Sequence, residues 1–263
     1  MTKTLAQIRA ELKCADRAQF EALSRALAAD ERKGVKQALA STKRRLDAWD
    51  SEVSRVEGMY AFERSLADGG IVVGLDEVGR GPVAGPLTVA AVILPNQPQI
   101  LGVNDSKQLS PEKRETLATT IKDVALAWSV EHIEPHHIDT YGMAESLHRA
   151  FTHVLAAVEQ QGIHADTVLL DGNPLHVDER EKNVVKGDAQ CASIAAASIV
   201  AKVERDALMR AYALQWPQYG FENNKGYASA EHIAAIKKYG LCPIHRETFC
   251  QAWTQETLFS MLR

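Results

Sequence analysis

Along residues 1–68 the apolar side chains recur at three- and four-residue spacing. Leu5, Ile8 and Leu12, then Phe20, Leu23 and Leu27, fall on such a stripe with charged residues between them, which predicts helices. At Ala67-Asp-Gly-Gly70 two glycines break the rhythm. A helical extension over 1–69 and a second domain over 70–263 follow from that break. Beyond it the pattern turns to short apolar runs. Residues 71–75 and 88–94 are rich in β-formers and joined by a Gly/Pro turn, as neighbouring strands are. Ser110-Pro111 opens a helix to about residue 126, with a capping serine and a proline at the first helical position. A third strand over 127–133, a helix over 143–161, a short buried strand over 167–170 and an alanine-rich helix over 188–210 complete the pattern. From Ala211 the chain reads as helical or irregular. Three early strands followed by alternating helix and strand predict an α/β layer fold, one mixed sheet flanked by helices.

Composition narrows the class. With 263 residues, 46% hydrophobic and 24% charged, the chain has the make-up of an ordinary soluble globular protein. A net charge of −4 argues against coating nucleic acid by bulk electrostatics, though a local basic face remains open. Residues 1–68 carry thirteen Lys/Arg against eleven Asp/Glu, a net +2, and the remainder carries −6. Within the extension Arg32, Lys33, Lys36, Lys43, Arg44 and Arg45 face only Asp30 and Glu31 in their stretch. Such a run is either a solvated helix face or a nucleic-acid contact. No apolar run approaches the length of a membrane helix, and the N-terminus lacks a signal-peptide core. Cys14, Cys191, Cys242 and Cys250 show neither C-x-x-C nor zinc-ligand spacing, which fits a reducing cytoplasm. His136-His137 reads as surface or turn.

The chemistry concentrates in Ile71-Val-Val-Gly-Leu-Asp-Glu-Val-Gly-Arg-Gly-Pro-Val-Ala-Gly-Pro86. An apolar strand delivers Asp76 and Glu77 onto a turn crowded with Gly79, Gly81 and Gly85. Adjacent carboxylates repel unless a cation sits between them. Taken alone, an Asp-Glu pair after a strand is more often a solvated turn. Arg80 is a ready phosphate or sugar contact. The glycine spacing is not that of a P-loop or a dinucleotide loop, and Pro82 stands where a helix would begin. Leu169-Leu-Asp-Gly172 repeats the logic at Asp171. Asp188 opens the alanine-rich helix and reads as its N-cap, a role compatible with facing a metal. Asp206 lies far along the same helix and reads as a salt-bridge partner of a nearby Lys or Arg. Ligands of open α/β sheets gather at the carboxyl ends of strands. Four carboxylates without His or Cys describe a hard-oxygen site for Mg²⁺ or Mn²⁺. The residues by themselves point to a metal-dependent phosphodiesterase or phosphatase.

Gly74-Leu-Asp-Glu-Val-Gly-Arg-Gly-Pro82, Asp105-Ser-Lys107, Leu170-Asp-Gly172, Lys186-Gly-Asp188, Ile194-Ala-Ala-Ala-Ser198 with Ala201-Lys202, and Asn224-Lys-Gly-Tyr227 occur in this order. Over residues 70–263 the chain thereby resembles ribonuclease HII. The resemblance implies a ribonuclease H-like fold and cleavage of RNA in RNA–DNA hybrids and at single ribonucleotides in duplex DNA. It implies two-metal hydrolysis with Mn²⁺ or Mg²⁺, 5′-phosphate and 3′-hydroxyl ends, no organic cofactor, and a monomer. By it Asp76, Glu77, Asp171 and Asp188 are the metal-binding acids. Gly79, Arg80 and Gly81 read the 2′-hydroxyl, Tyr227 packs on the following deoxyribose, and Lys107 and Lys202 join the nucleic-acid contacts. Many relatives carry His where Asn224 stands, and the extension resembles that of the family's longer forms. A phosphatase of small esters is the alternative, although it has no use for Arg80 or Tyr227.

Overall fold

Val73 and Leu75 send their side chains to one face of the first strand while Gly74 and Asp76 leave on the other, because successive strand residues alternate. In the computed structural model, which describes residues 3–254, this strand (β1, Val72–Val78) is the middle of a five-stranded sheet. β2 (Leu87–Ile93) and β3 (Ala127–Ile133) continue it on one side as antiparallel neighbours. β4 (Thr167–Asp171) and β5 (Glu181–Val184) continue it on the other as parallel ones. The order is β3-β2-β1-β4-β5, the mixed sheet that the pattern predicts. Among the described residues no helix is long and apolar enough to cross a membrane.

The chain separates into two compact units, residues 1–58 and 59–263. The first holds α1 (Leu5–Cys14), α2 (Arg17–Ala26) and most of α3 (Lys33–Leu66). Thr4 and Asp16 close capping boxes on α1 and α2. Ile8, Leu12, Phe20, Val35 and Leu46 form the core between the three helices. The basic run is largely spoken for. Arg32 pairs with Asp30 at 2.6 Å and Lys43 with Asp47 at 2.7 Å. Lys36 reaches Glu31, and Arg45 donates to the Ala15 carbonyl at 2.8 Å, closing the end of α1. Lys33 and Arg44 have no such partner among the described residues.

In the second unit the last turns of α3 support the sheet. Glu63, buried, accepts the amide and the hydroxyl of Ser193, both at 2.8 Å. Burial pushes its carboxyl above the ordinary range, and the Ser193 bonds partly offset this. The Ile100 amide donates to the buried Tyr60 hydroxyl. α4 (Pro111–Val124) is capped by Ser110 as expected. α5 (Pro135–Glu159) kinks at Gly142, where φ is +82°, so its second part starts at Met143 as predicted. Its Phe151, Val154 and Leu155 cover the sheet face formed by Val73, Leu75 and Val89. On the opposite face lies α7 (Ala192–Gln215), preceded by the four-residue α6 (Gly187–Gln190). A Cβ at Gly74 would stand 2.2 Å from the Ser193 backbone carbon, so only glycine lets α7 lie this close to β1. α8 (Phe221–Asn224), α9 (Ala230–Tyr239) and α10 (Glu247–Thr254) complete the described chain.

Several expectations are corrected. β1 runs on through Asp76 and Glu77 to Val78, so the acids belong to the strand and not to the turn after it. β5 was not predicted. The helix expected over 188–210 is two helices, broken at Cys191, whose backbone is extended. Asp188 is not an N-cap: Lys186, with φ at +56°, caps α6, and Asp188 lies inside its first turn. The free amide at the head of α7 is met instead by Glu63. His136 is exposed, as expected of a surface residue, and His137 is half-buried, both in the first turn of α5.

A chain of residues 59–263 is therefore expected to fold with nearly full stability. A chain starting at residue 69 loses Tyr60, the Glu63 cap and buried Ala67, and is expected to be about 2–4 kcal/mol less stable. Urea titration of the two truncations decides this, and equal midpoints would show that the end of α3 contributes nothing.

Candidate active site

β1 and β4 run parallel with Leu75 opposite Leu170, so Asp76 and Asp171 are the next residues along on adjacent strands. Leu169 shares a cluster with Ile194 of α7, and strand alternation puts Asp171 on that same face. The Gly187 amide donates to Asp171 Oδ1 at 2.6 Å, which brings the α6 turn and Asp188 to the end of β4. Asp76 accepts its bond from the Ser198 hydroxyl of α7, and the Glu77 amide reaches Asp76 Oδ1 at 2.8 Å. Arg80 lies 3.2 Å from Glu77 Oε1.

The Asp171 carboxylate lies near enough to act on the other three acids. Burial, then Glu77 and Asp171, hold the Asp76 carboxyl well above the usual range. Burial also raises Glu77, with Arg80 opposing and Asp171 adding to the rise. Asp188 is pushed up to about 6 by burial, then by Asp171 and Asp105. Asp105 stands beside Asp188, and Lys107 lies near enough to oppose the shift. Each acid is tied to its own neighbours, and among the described residues no group of three forms a ready metal cage. The donor set nevertheless fits a hard divalent cation: oxygen only, mutually repelling, and partly desolvated.

Beside the acids, two fully buried arginines hold the turn after β1. Arg246 donates to the carbonyls of Gly79 at 2.6 Å, Arg80 at 3.0 Å and Gly85 at 2.9 Å. Arg205 of α7 donates to Pro86 at 2.9 Å, Ala84 at 3.1 Å and Lys225 at 2.9 Å. The Val83 and Ala84 amides meet the Gly226 carbonyl, so the two loops are stitched together. A Cβ at Gly226, where φ is +85°, would stand 2.2 Å from the Ala84 oxygen. Next to it Tyr227 is 49% exposed. A Cβ at Gly81 would lie 3.8 Å from the Tyr227 ring, so loop and ring are neighbours.

The family model for ribonuclease HII matches residues 73–252, and the model for the ribonuclease HII N-terminal domain matches residues 4–67. The chain belongs to the ribonuclease HII family. It is 44% identical to ribonuclease HII of Ruminiclostridium cellulolyticum over 78% of this chain and 81% of that one. Against ribonuclease HII of Halalkalibacterium halodurans it is 41% identical over 95% of both. The crystal structure of ribonuclease H2 from Pyrococcus horikoshii superposes with a TM-score of 0.59 at 26% identity, covering 71% of this chain and 100% of that one. The protein is accordingly a hydrolytic nuclease, an endoribonuclease degrading RNA in RNA–DNA hybrids. The small-ester phosphatase reading loses its footing.

Of the residues singled out in the sequence, the ribonuclease HII fold gathers Asp76, Glu77, Asp171 and Asp188 with Lys107 at their edge, and Gly79, Arg80 and Gly81 with Tyr227. Lys202 is half-buried and bonded to Asp206, one turn on, the ion pair expected of Asp206. Sequence reasoning passed over Asp105, although it opens a quoted motif, and over Arg205 and Arg246. Arg246→Lys is expected to cost about 2–4 kcal/mol of stability, because one ammonium cannot satisfy three carbonyls fixed for a planar fork. Chemical denaturation measures it; a wild-type midpoint would mean the carbonyls have other donors.

Proposed function

We propose that this ribonuclease HII cuts the RNA strand of hybrids, and single ribonucleotides embedded in duplex DNA, by two-metal hydrolysis leaving 5′-phosphate and 3′-hydroxyl ends. The observation that carries the reading is four repelling carboxylates beside a loop whose carbonyls face inward. Asp76, Glu77, Asp171 and Asp188 would hold Mg²⁺ or Mn²⁺. When bound, such ions supply an activated water and stabilise the charge on the departing 3′ oxygen. Arg80 keeps Glu77 oriented and adds positive charge beside the scissile phosphate.

Recognition of the ribose rests on peptide geometry. In a trans peptide the carbonyl and the next amide point in opposite directions. With the Gly79 and Arg80 carbonyls given to Arg246, the amides of Arg80 and Gly81 turn the other way. They are suited to meet the 2′-hydroxyl that distinguishes RNA from DNA. Tyr227, half-exposed beside Gly81, packs on the deoxyribose that follows. Lys107 is exposed near Asp188 and suits a phosphate contact. In the N-terminal unit Arg9, Lys13, Lys33 and Arg44 have no ionic partner among the described residues, which supports a phosphate contact there too.

Asp171→Asn is expected to abolish cleavage, with a fall of at least about 10³-fold, while leaving hybrid binding and melting temperature near wild type, because it removes charge without volume. Near-normal turnover at ordinary metal concentration would remove Asp171 from the site. Tyr227→Ala is expected to lower cutting at a single ribonucleotide by roughly 10²-fold, the effect of about 1 Å of misplacement, and to lower hybrid cutting less. Parallel assays on the two duplexes test it; equal losses on both, with a large drop in melting temperature, would make Tyr227 a packing residue.

A further inference from the structure

The carbonyl of Tyr227 is held by a chain of hydrogen bonds that admits one arrangement of protons. A carbonyl only accepts, so His232 Nδ1, 2.8 Å from the Tyr227 oxygen, carries a proton. At the far end His245 Nδ1 is 2.9 Å from the Cys242 amide, which only donates, and 3.3 Å from the Cys242 carbonyl; the nearer amide, and the single ring proton needed at Nε2, leave this nitrogen bare. The two Nε2 atoms are 3.0 Å apart. His245, bare at Nδ1, therefore donates from Nε2, and His232, protonated at Nδ1, accepts. The chain runs from the Cys242 amide through His245 and His232 to the Tyr227 carbonyl.

Its surroundings keep it fixed and neutral. His232 is 0% and His245 3% exposed. The rings pack edge-on against Phe221 at 5.3 Å and Tyr219 at 4.8 Å respectively. Burial lowers both imidazoles, and His232 adds to it in bringing His245 down to about 4. The Ser229 amide shares the Tyr227 carbonyl at 2.8 Å, and the Tyr227 amide reaches the Asn224 oxygen at 2.9 Å, so the peptides on both sides of the ring are pinned. His245 is also the residue before Arg246, and it bridges to Ala84. Two consecutive residues thus hold the two halves of one surface: Arg246 the Gly79–Arg80 carbonyls, and His245, through His232, the Tyr227 carbonyl.

We infer that His232 and His245 are positioning residues that set the spacing between the Gly79–Gly81 loop and Tyr227, and with it the preference for a ribose followed by a deoxyribose. The inference rests on the proposed contact of Tyr227 with the substrate. His232→Asn keeps a donor where Nδ1 stood, whereas His232→Gln keeps a polar group only where Nε2 stood. Each leaves one end of the chain unpaired, so both melt lower, and stability does not separate them.

The test measures kcat/KM on a duplex with one ribonucleotide and on an all-hybrid duplex, for wild type, both His232 variants and Tyr227→Ala. His232→Gln should lower the ratio of the two by about tenfold and His232→Asn by less than about threefold. Long-range ¹⁵N–¹H correlation spectra of the wild-type imidazoles at neutral pH should show His232 protonated at Nδ1 and His245 at Nε2. The opposite tautomers, or His232 variants that both keep the wild-type ratio while Tyr227→Ala loses it, would overturn the inference alone. A wild-type ratio in Tyr227→Ala would overturn the reading of Tyr227 and the inference with it.

Discussion

Two guanidinium groups with no carboxylate among their hydrogen-bond acceptors organise the glycine turn after β1 and tie it to the loop that carries Tyr227. Arg205 and Arg246 are fully buried, and the hydrogen bonds they make go to backbone carbonyls. Taking a charge out of water costs several kcal/mol unless its protons are met, and a planar fork meets several carbonyls at once. The reverse dependence is as strong. The turn from Gly79 to Pro86 curls its carbonyls inward, where they would be costly to leave unpaired without these donors. Loop and arginines are each unstable alone in this position and consistent together.

This exchange also sets the electrostatics of the site. Burial together with the Asp171 carboxylate raises Asp76, Glu77 and Asp188, so the ends of β1 and β4 and the head of α6 favour cations. A few residues away the loop sits over two buried positive charges and favours an anion. A phosphodiester with divalent ions satisfies both, on the reading proposed above. Glu77 and Arg80, three residues apart and in contact at 3.2 Å, mark where the two fields meet.

The sheet was legible because its strands are apolar and short, and their ends carry the acids. The pattern placed Asp76, Glu77 and Asp171 at strand ends, where the structure has them, while Asp188 was read as an N-cap that it is not. β5 escaped because Glu181-Lys-Asn-Val184 is polar, four residues long and at the sheet edge, where one neighbour suffices. The break at Cys191 escaped because Ala, Ser and Ile on both sides continue a helix, and the group that meets the free amide, Glu63, comes from 130 residues away. Arg205 and Arg246 escaped for another reason. Arginine is ordinarily a surface residue, and a partner that is a backbone carbonyl has no side chain to leave a pattern.

α7 is the part that joins these features. Ser193 at its head is fixed by Glu63, and its backbone is pressed on β1 at Gly74. Ser198 bonds to Asp76 and to Ser106. Arg205 then holds the glycine turn and Lys225. Twelve residues of helix separate Ser193 from Arg205, about 18 Å along a rod that rises about 1.5 Å per residue. A slip of one residue would displace the Ser198 hydroxyl from Asp76 and the guanidinium from its carbonyls together. The distance between the acids and the Gly79–Gly81 loop is thereby a property of one helix. That explains why its sheet-facing stretch is built from alanine and serine: small residues let it approach the strand closely enough to fix its register.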